Sequence, residues 1–256
     1  MSRCIVHRPL GELMKSIRTA LVVACCAALV ACGGGGDPAP GAPLAGLYEG
    51  SGGSNRASEF LVVDDGRYYL VYGLSSASAA PVGGVVVGDG SASGSTFASS
   101  NAHDFNLLSR TLVTGMLNST VVPKASASTV LVRSDTTSAT FAGTFNGASD
   151  ADASPTALMG TYGGEFAGLG GTDASVLTID ALGVVAGTTS SNCTYFGLAL
   201  PRSRGNVYDL SLTFRTGCAN AGSTQHGHAF LSGKVVYAVT VSGDLGTAAL
   251  FAGIKP

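Results

Sequence analysis

Laid on itself with an offset of about 114 residues, this chain of 256 residues repeats. Gly46-Leu-Tyr48-Glu-Gly50 matches Gly160-Thr-Tyr162-Gly-Gly164, and Phe60-Leu-Val-Val-Asp-Asp-Gly66 matches Val176-Leu-Thr-Ile-Asp-Ala-Leu-Gly183. The copies also end alike, with Thr140-Phe-Ala-Gly-Thr-Phe145 against Ala249-Leu-Phe-Ala-Gly-Ile254. A duplication is a strong constraint, because one architecture must serve both halves and each half must bury its own core. The polar run from Asn146 to Pro155 suits a connection between them. These matches divide the chain into a first β domain at 44–148, a linker at 149–156 and a second β domain at 157–256.

Within each copy the apolar period is two, as strands require. Tyr208, Leu210, Leu212 and Phe214 share one face of a strand, while Asp209, Ser211 and Thr213 share the other. The segment Glu59 to Gly73 reads as a hairpin, with Asp65-Gly66 as a two-residue turn. Its strands are apolar on both faces, so one face meets the domain core and the other is covered by the second domain or by loops. Short strands at this spacing predict an all-β protein of two tandem antiparallel barrels, or sandwiches, of about eight strands each. Composition agrees: 37 glycines, no Trp and 12% charged residues suit a loop-rich β domain and not a helical bundle. A transmembrane barrel is disfavoured, since many of the strands are shorter than the roughly ten residues that such barrels use.

The N-terminus supplies an address. Lys15 and Arg18 precede an apolar run of about 13 residues, the order of a secretory signal. That run is shorter than the roughly 20 residues a spanning helix needs. Translation from Met14 would give an equally good basic start. The run ends in Leu29-Val30-Ala31-Cys32, so residues 1–31 read as a signal peptide and Cys32 as the first mature residue. An earlier match at Val22-Val-Ala-Cys25 would leave apolar chain exposed on the mature protein. The Gly- and Pro-rich residues 32–43 then form a tether. Of the other cysteines, Cys4, Cys25 and Cys26 lie in the signal segment, leaving Cys193 and Cys218 to form one disulfide in an oxidising compartment. Four of 14 basic side chains but one of 16 acidic ones precede Cys32, so the mature part is acidic and unsuited to nucleic acid.

Candidate chemistry is sparse. His226 and His228, at i and i+2 on a strand, would aim at one face and could begin a metal site, with His103 as a third ligand from the other copy. Asp64-Asp65 belongs to a turn, and Asp150-Ala-Asp152 lacks the Gly and distant Glu of a calcium loop. No serine lies in a G-x-S-x-G or S-x-x-K motif. The glycine clusters Gly33–Gly36 and Gly168-Leu-Gly-Gly171 do not open a helix that could cradle phosphate. Tyr48 and Tyr162 pack at a barrel end with the hydroxyl at the rim, or line a shared ligand or partner surface.

Leu29-Val30-Ala31-Cys32 resembles the lipobox of bacterial lipoproteins. With the glycine tether and the paired Gly-x-Tyr-x-Gly units, the chain looks like an exported lipoprotein of Gram-negative bacteria. The resemblance implies covalent lipid on Cys32, and Gly33 in place of Asp after it implies sorting to the outer membrane. In plan the chain is also similar to surface lipoproteins such as the barrel lobes of transferrin-binding protein B and factor H-binding protein. The expectation is a non-enzymatic, membrane-anchored binding or interaction module of the cell envelope, without cofactor. The alternative is a carrier of a small apolar ligand inside a barrel.

Overall fold

A computed structural model describes residues 44–53, 56–73 and 82–256; the signal segment 1–31, Cys32 and the tether 32–43 lie outside them. The first half contains β1 (Gly46–Gly52), β2 (Arg56–Val62), β3 (Arg67–Gly73), β4 (Val82–Asp89), β5 (Ser91–Ser93), β6 (Thr96–Asn106), β7 (Thr111–Val122), β8 (Ser126–Arg133) and β9 (Ser138–Phe145). Here β9 returns to β1 and β4 pairs with β6, which closes an antiparallel ring of eight strands with β5 as a short addition to β6. The second half contains β10 (Gly160–Gly168), β11 (Gly171–Ile179), β12 (Val184–Thr189), β13 (Thr194–Pro201), β14 (Val207–Phe214), β15 (Thr224–Ser232), β16 (Val235–Val241) and β17 (Ala248–Ile254). These run up and down in chain order and close through β10 and β17. The protein is therefore two tandem eight-strand barrels, and closure rather than a sandwich is how each copy disposes of its edge strands. The stretch read as a linker holds a 3-10 turn, Gly147–Asp150, and a single helical turn, Pro155–Leu158.

The repeated signature is the closure seam of each barrel. Gly50 faces Gly143 across β1 and β9, and Gly164 faces Gly253 across β10 and β17. A Cβ on Gly50 would lie 2.0 Å from the Ala142 carbonyl oxygen, and one on Gly164 would lie 2.1 Å from that of Ala252. The rings of Phe141 and Phe251 lie over Gly143 and Gly253, covering backbone that has no side chain of its own. Tyr48 and Tyr162 also point inward. They are almost fully buried, at 0% and 2% exposure. Each hydroxyl donates to the carbonyl four residues earlier, Tyr48 to Leu44 (3.2 Å) and Tyr162 to Leu158 (2.7 Å). The reading of the pair as a shared ligand or partner surface is thus corrected: both tyrosines are buried and pin the entering chain to the barrel.

The hairpin turn differs in detail from the sequence reading. The Val63 amide donates to the Arg67 carbonyl and the Gly66 amide to that of Val63, so the loop is three residues long, Asp64 to Gly66. Gly66 closes it at φ 93°, a conformation that suits glycine. The second copy repeats the device with Asp180, Val184 and Gly183 at φ 80°.

Three apolar clusters form. One fills the first barrel around Tyr48, Phe60, Tyr68, Phe97 and Phe141, and another fills the second around Tyr162, Tyr195, Tyr208, Phe214 and Phe251. The third joins the barrels. Leu61, Tyr69, Val71, Val85 and Phe105 from the outside of the first meet Phe230, Tyr237, Val239 and Leu250 from the outside of the second. The two-faced hairpin is the reason: β2 and β3 turn one row into their own barrel and the other onto its neighbour. Each such side chain, once buried, contributes about 1.5–3 kcal/mol.

Candidate functional site

Where the barrels meet, polar side chains gather around Arg202, which follows β13. Its guanidinium pairs with Asp64 (2.6 Å) and Asp65 (3.2 Å) in the hairpin turn of the first barrel and with Asp209 (2.6 Å) on β14 of the second. The same side chain approaches His228 Nε2 at 3.1 Å. Nε2 also lies 3.2 Å from Asp209 Oδ1, and Nδ1 faces the Tyr69 hydroxyl at 2.9 Å, so both ring nitrogens are partnered. Burial, and next the Arg202 charge, push the His228 pKa down to about 4, so the ring is neutral. His226 and His228 do share the outward face of β15, as their spacing predicts, but His226 is exposed and His228 buried. His103 Nδ1 donates to the Asn101 carbonyl (2.8 Å). Among the described residues no group of three His, Cys, Asp or Glu side chains could hold a metal ion.

A second polar point lies between the barrels. Glu49 and Glu59 are direct neighbours across β1 and β2. The Ser232 hydroxyl donates to Glu49 Oε1 (2.6 Å) and lies 3.1 Å from Glu59 Oε1. Glu59 Oε2 is buried without a protein partner. Burial, and next the charge of Glu49, raise the Glu59 pKa to about 8, so this carboxyl is protonated at neutral pH.

Among the described residues, one end of the first barrel holds a cavity of about 430 Å3, lined by Leu70, Val86, Leu131 and Phe141 toward the barrel middle and by Arg56, Ser58, Tyr72 and Arg133 toward the strand ends. Arg56 and Ser58 alternate with Phe60, and Arg133 with Leu131, so these polar side chains occupy inward positions. Asp104, only 2% exposed, accepts from Arg133 Nε (2.6 Å) and from the Tyr72 hydroxyl (2.8 Å). Arg133 and Arg56 both line this wall, and Asp104 is paired with the first. The second barrel is packed through its middle by stacked and tilted rings of Phe166, Tyr195 and Phe214.

Cys193 and Cys218 form the expected disulfide, tying the turn just before β13 to the loop after β14. Outside the second barrel, Val176, Val184, Phe196, Leu198 and Leu200 stand 40–48% exposed on β11, β12 and β13. Val184 pairs with Leu198 and Ala186 with Phe196, so the apolar positions adjoin across β12 and β13, while Val176 faces Thr188. Arg215 covers one ring, its guanidinium carbon 4.4 Å from the Phe196 centroid.

Sequence reasoning did not find Arg56, Asp104, Arg133, Arg202, Glu49, Glu59 or Ser232. A signal existed for Glu59, which shares the parity of Leu61 and Val63, and for Arg133, which shares that of Leu131. Arg202 carried none, since its partners in the first barrel lie more than a hundred residues away. No protein-family model, no curated protein and no solved structure matches this chain.

Proposed function

We propose that the chain is a non-enzymatic lipoprotein of the outer membrane, held by lipid on Cys32, that binds a protein partner in the cell envelope. The observation that carries this reading is the apolar strip of Val184, Phe196, Leu198 and Leu200. It lies on β12 and β13, strands that supply nothing to the cluster joining the barrels. Exposed apolar side chains that adjoin across paired strands form the kind of patch that contact sites use, and Met116 and Val132, paired across β7 and β8, are a smaller exposed apolar pair on the first barrel. The polar clusters do not compete for that role, because Arg202, His228 and Tyr69 spend their hydrogen bonds on each other and on the turn of the first barrel.

A photo-crosslinking side chain at position 198 in intact cells tests the reading. One discrete protein adduct is expected, with none from the exposed position 120 on the other barrel. Equal labelling from both positions, or none from 198, overturns the partner site. Mass spectrometry of the mature N-terminus tests the anchor separately, and an unmodified Cys32 overturns it.

The cavity in the first barrel favours a second reading, that of a carrier for a small apolar ligand, since pockets of about 300–1,000 Å3 are typical of ligand sites.

A further inference from the structure

The geometry points to a binding site in the mouth of the first barrel for a small amphiphilic acid, a single carboxylate or similar anion carrying an apolar tail. This rests on the carrier reading and adds the chemical class of the cargo. The inside of a small barrel is ordinarily filled by apolar side chains. Here two arginines occupy inward positions at the same end, and both bear on Tyr72. Arg133 is already matched by Asp104, which it meets at 2.6 Å with Tyr72 on the other oxygen. Arg56 is therefore the surplus charge of the cup, which lacks a second carboxylate among the residues lining it. A cation that lines a concave, partly desolvated wall attracts an anion more strongly than one in open water.

Below the arginines the wall changes character. Leu70, Val86, Leu131 and Phe141 offer no donor or acceptor, so the part of a ligand that reaches them must be apolar. Size sets the third limit. At a packing density of about 0.75, the cavity accepts a molecule of about 300 Å3, the size of an acid with roughly a dozen carbons. A diacyl lipid or a porphyrin is too large, and an inorganic anion would leave the floor unoccupied. Charge at the rim, an apolar floor and limited depth together select a medium-chain or two-ring carboxylic acid.

Equilibrium dialysis of the full mature protein in lipid nanodiscs, against empty discs, is the test, with decanoate and decanol as probes. Decanoate is expected to saturate at one per chain and to bind at least tenfold more tightly than decanol. Arg56→Gln is expected to remove that tenfold preference while the melting temperature stays unchanged. Ala139→Phe, placed on the cavity wall, is expected to abolish binding of both. Equal binding of decanoate and decanol, unaffected by Arg56→Gln, overturns the acid-selective site and leaves the carrier reading standing. Failure of both probes to saturate above the empty discs overturns both.

Discussion

The Tyr69 hydroxyl of the first barrel and Nδ1 of His228 in the second lie 2.9 Å apart, both deep in the seam between the two. The opposite ring nitrogen, Nε2, lies between Arg202 (3.1 Å) and Asp209 Oδ1 (3.2 Å), so the hydroxyl is the partner that Nδ1 has in the seam. Tyr69→Phe would leave a buried ring nitrogen unpaired, at a cost of about 1–3 kcal/mol. Urea unfolding measures it. The double change Tyr69→Phe with His228→Phe is expected to recover most of the loss, since removing both partners leaves nothing unsatisfied.

The pH dependence of stability has a definite sign. Glu59, raised to about 8, holds in the folded chain a proton that the unfolded chain releases near its ordinary value of 4.5. Its contribution is complete below 4.5 and is lost as pH rises through 8. His228, lowered to about 4 from 6.5, acts in the opposite sense: its contribution is present above 6.5 and is lost as pH falls through 4. Above about pH 6.5 only the Glu59 slope of this pair remains, so stability is expected to fall by about 1–2 kcal/mol between pH 6.5 and 8. Glu59→Gln, which keeps an acceptor for Ser232, is expected to flatten that interval in denaturant titrations at each pH.

The seam glycines admit no side chain. Gly164→Ala would place a methyl group 2.1 Å from the Ala252 carbonyl oxygen, against backbone that is held by the β10–β17 ladder. A loss of about 1–3 kcal/mol or more is expected, as for other overpacked positions. Gly163→Ala, next in the chain and with nothing within 4 Å of its added Cβ, is expected to be far milder in the same thermal melts.

Replacing both Cys193 and Cys218 by serine opens a link with a sequence separation of 25. The loop-entropy relation gives a loss of about 3 kcal/mol. Chemical denaturation in the absence of reductant reads it directly.

Much of the architecture was visible in the residues alone. The offset between Tyr48 and Tyr162 exposed the duplication, and the two apolar rows of Glu59 to Gly73 announced a surface that needed covering. What stayed hidden depended on register. The parity of Arg56 and Arg133 places them inward only once the strand pairings are known, and in β6 the register shifts between Ser99 and Ala102, so parity cannot be counted through to Asp104. The seam cluster was hidden for another reason: Asp64 and Asp65 look complete as turn residues, and nothing local says that Arg202 reaches them. The loop type of the same turn was misjudged because Asp-Gly serves two- and three-residue loops alike.

A polypeptide is made from its first residue onward, and this one finishes the earlier of its twin units while the later is still being synthesised. Until β14–β17 arrive, the flank bearing Leu61, Tyr69, Val71 and Phe105 has nothing to lie against. The newborn half is thus greasy and adhesive for as long as its sibling is unfinished, and an escort that shields it would be needed on the way to its destination.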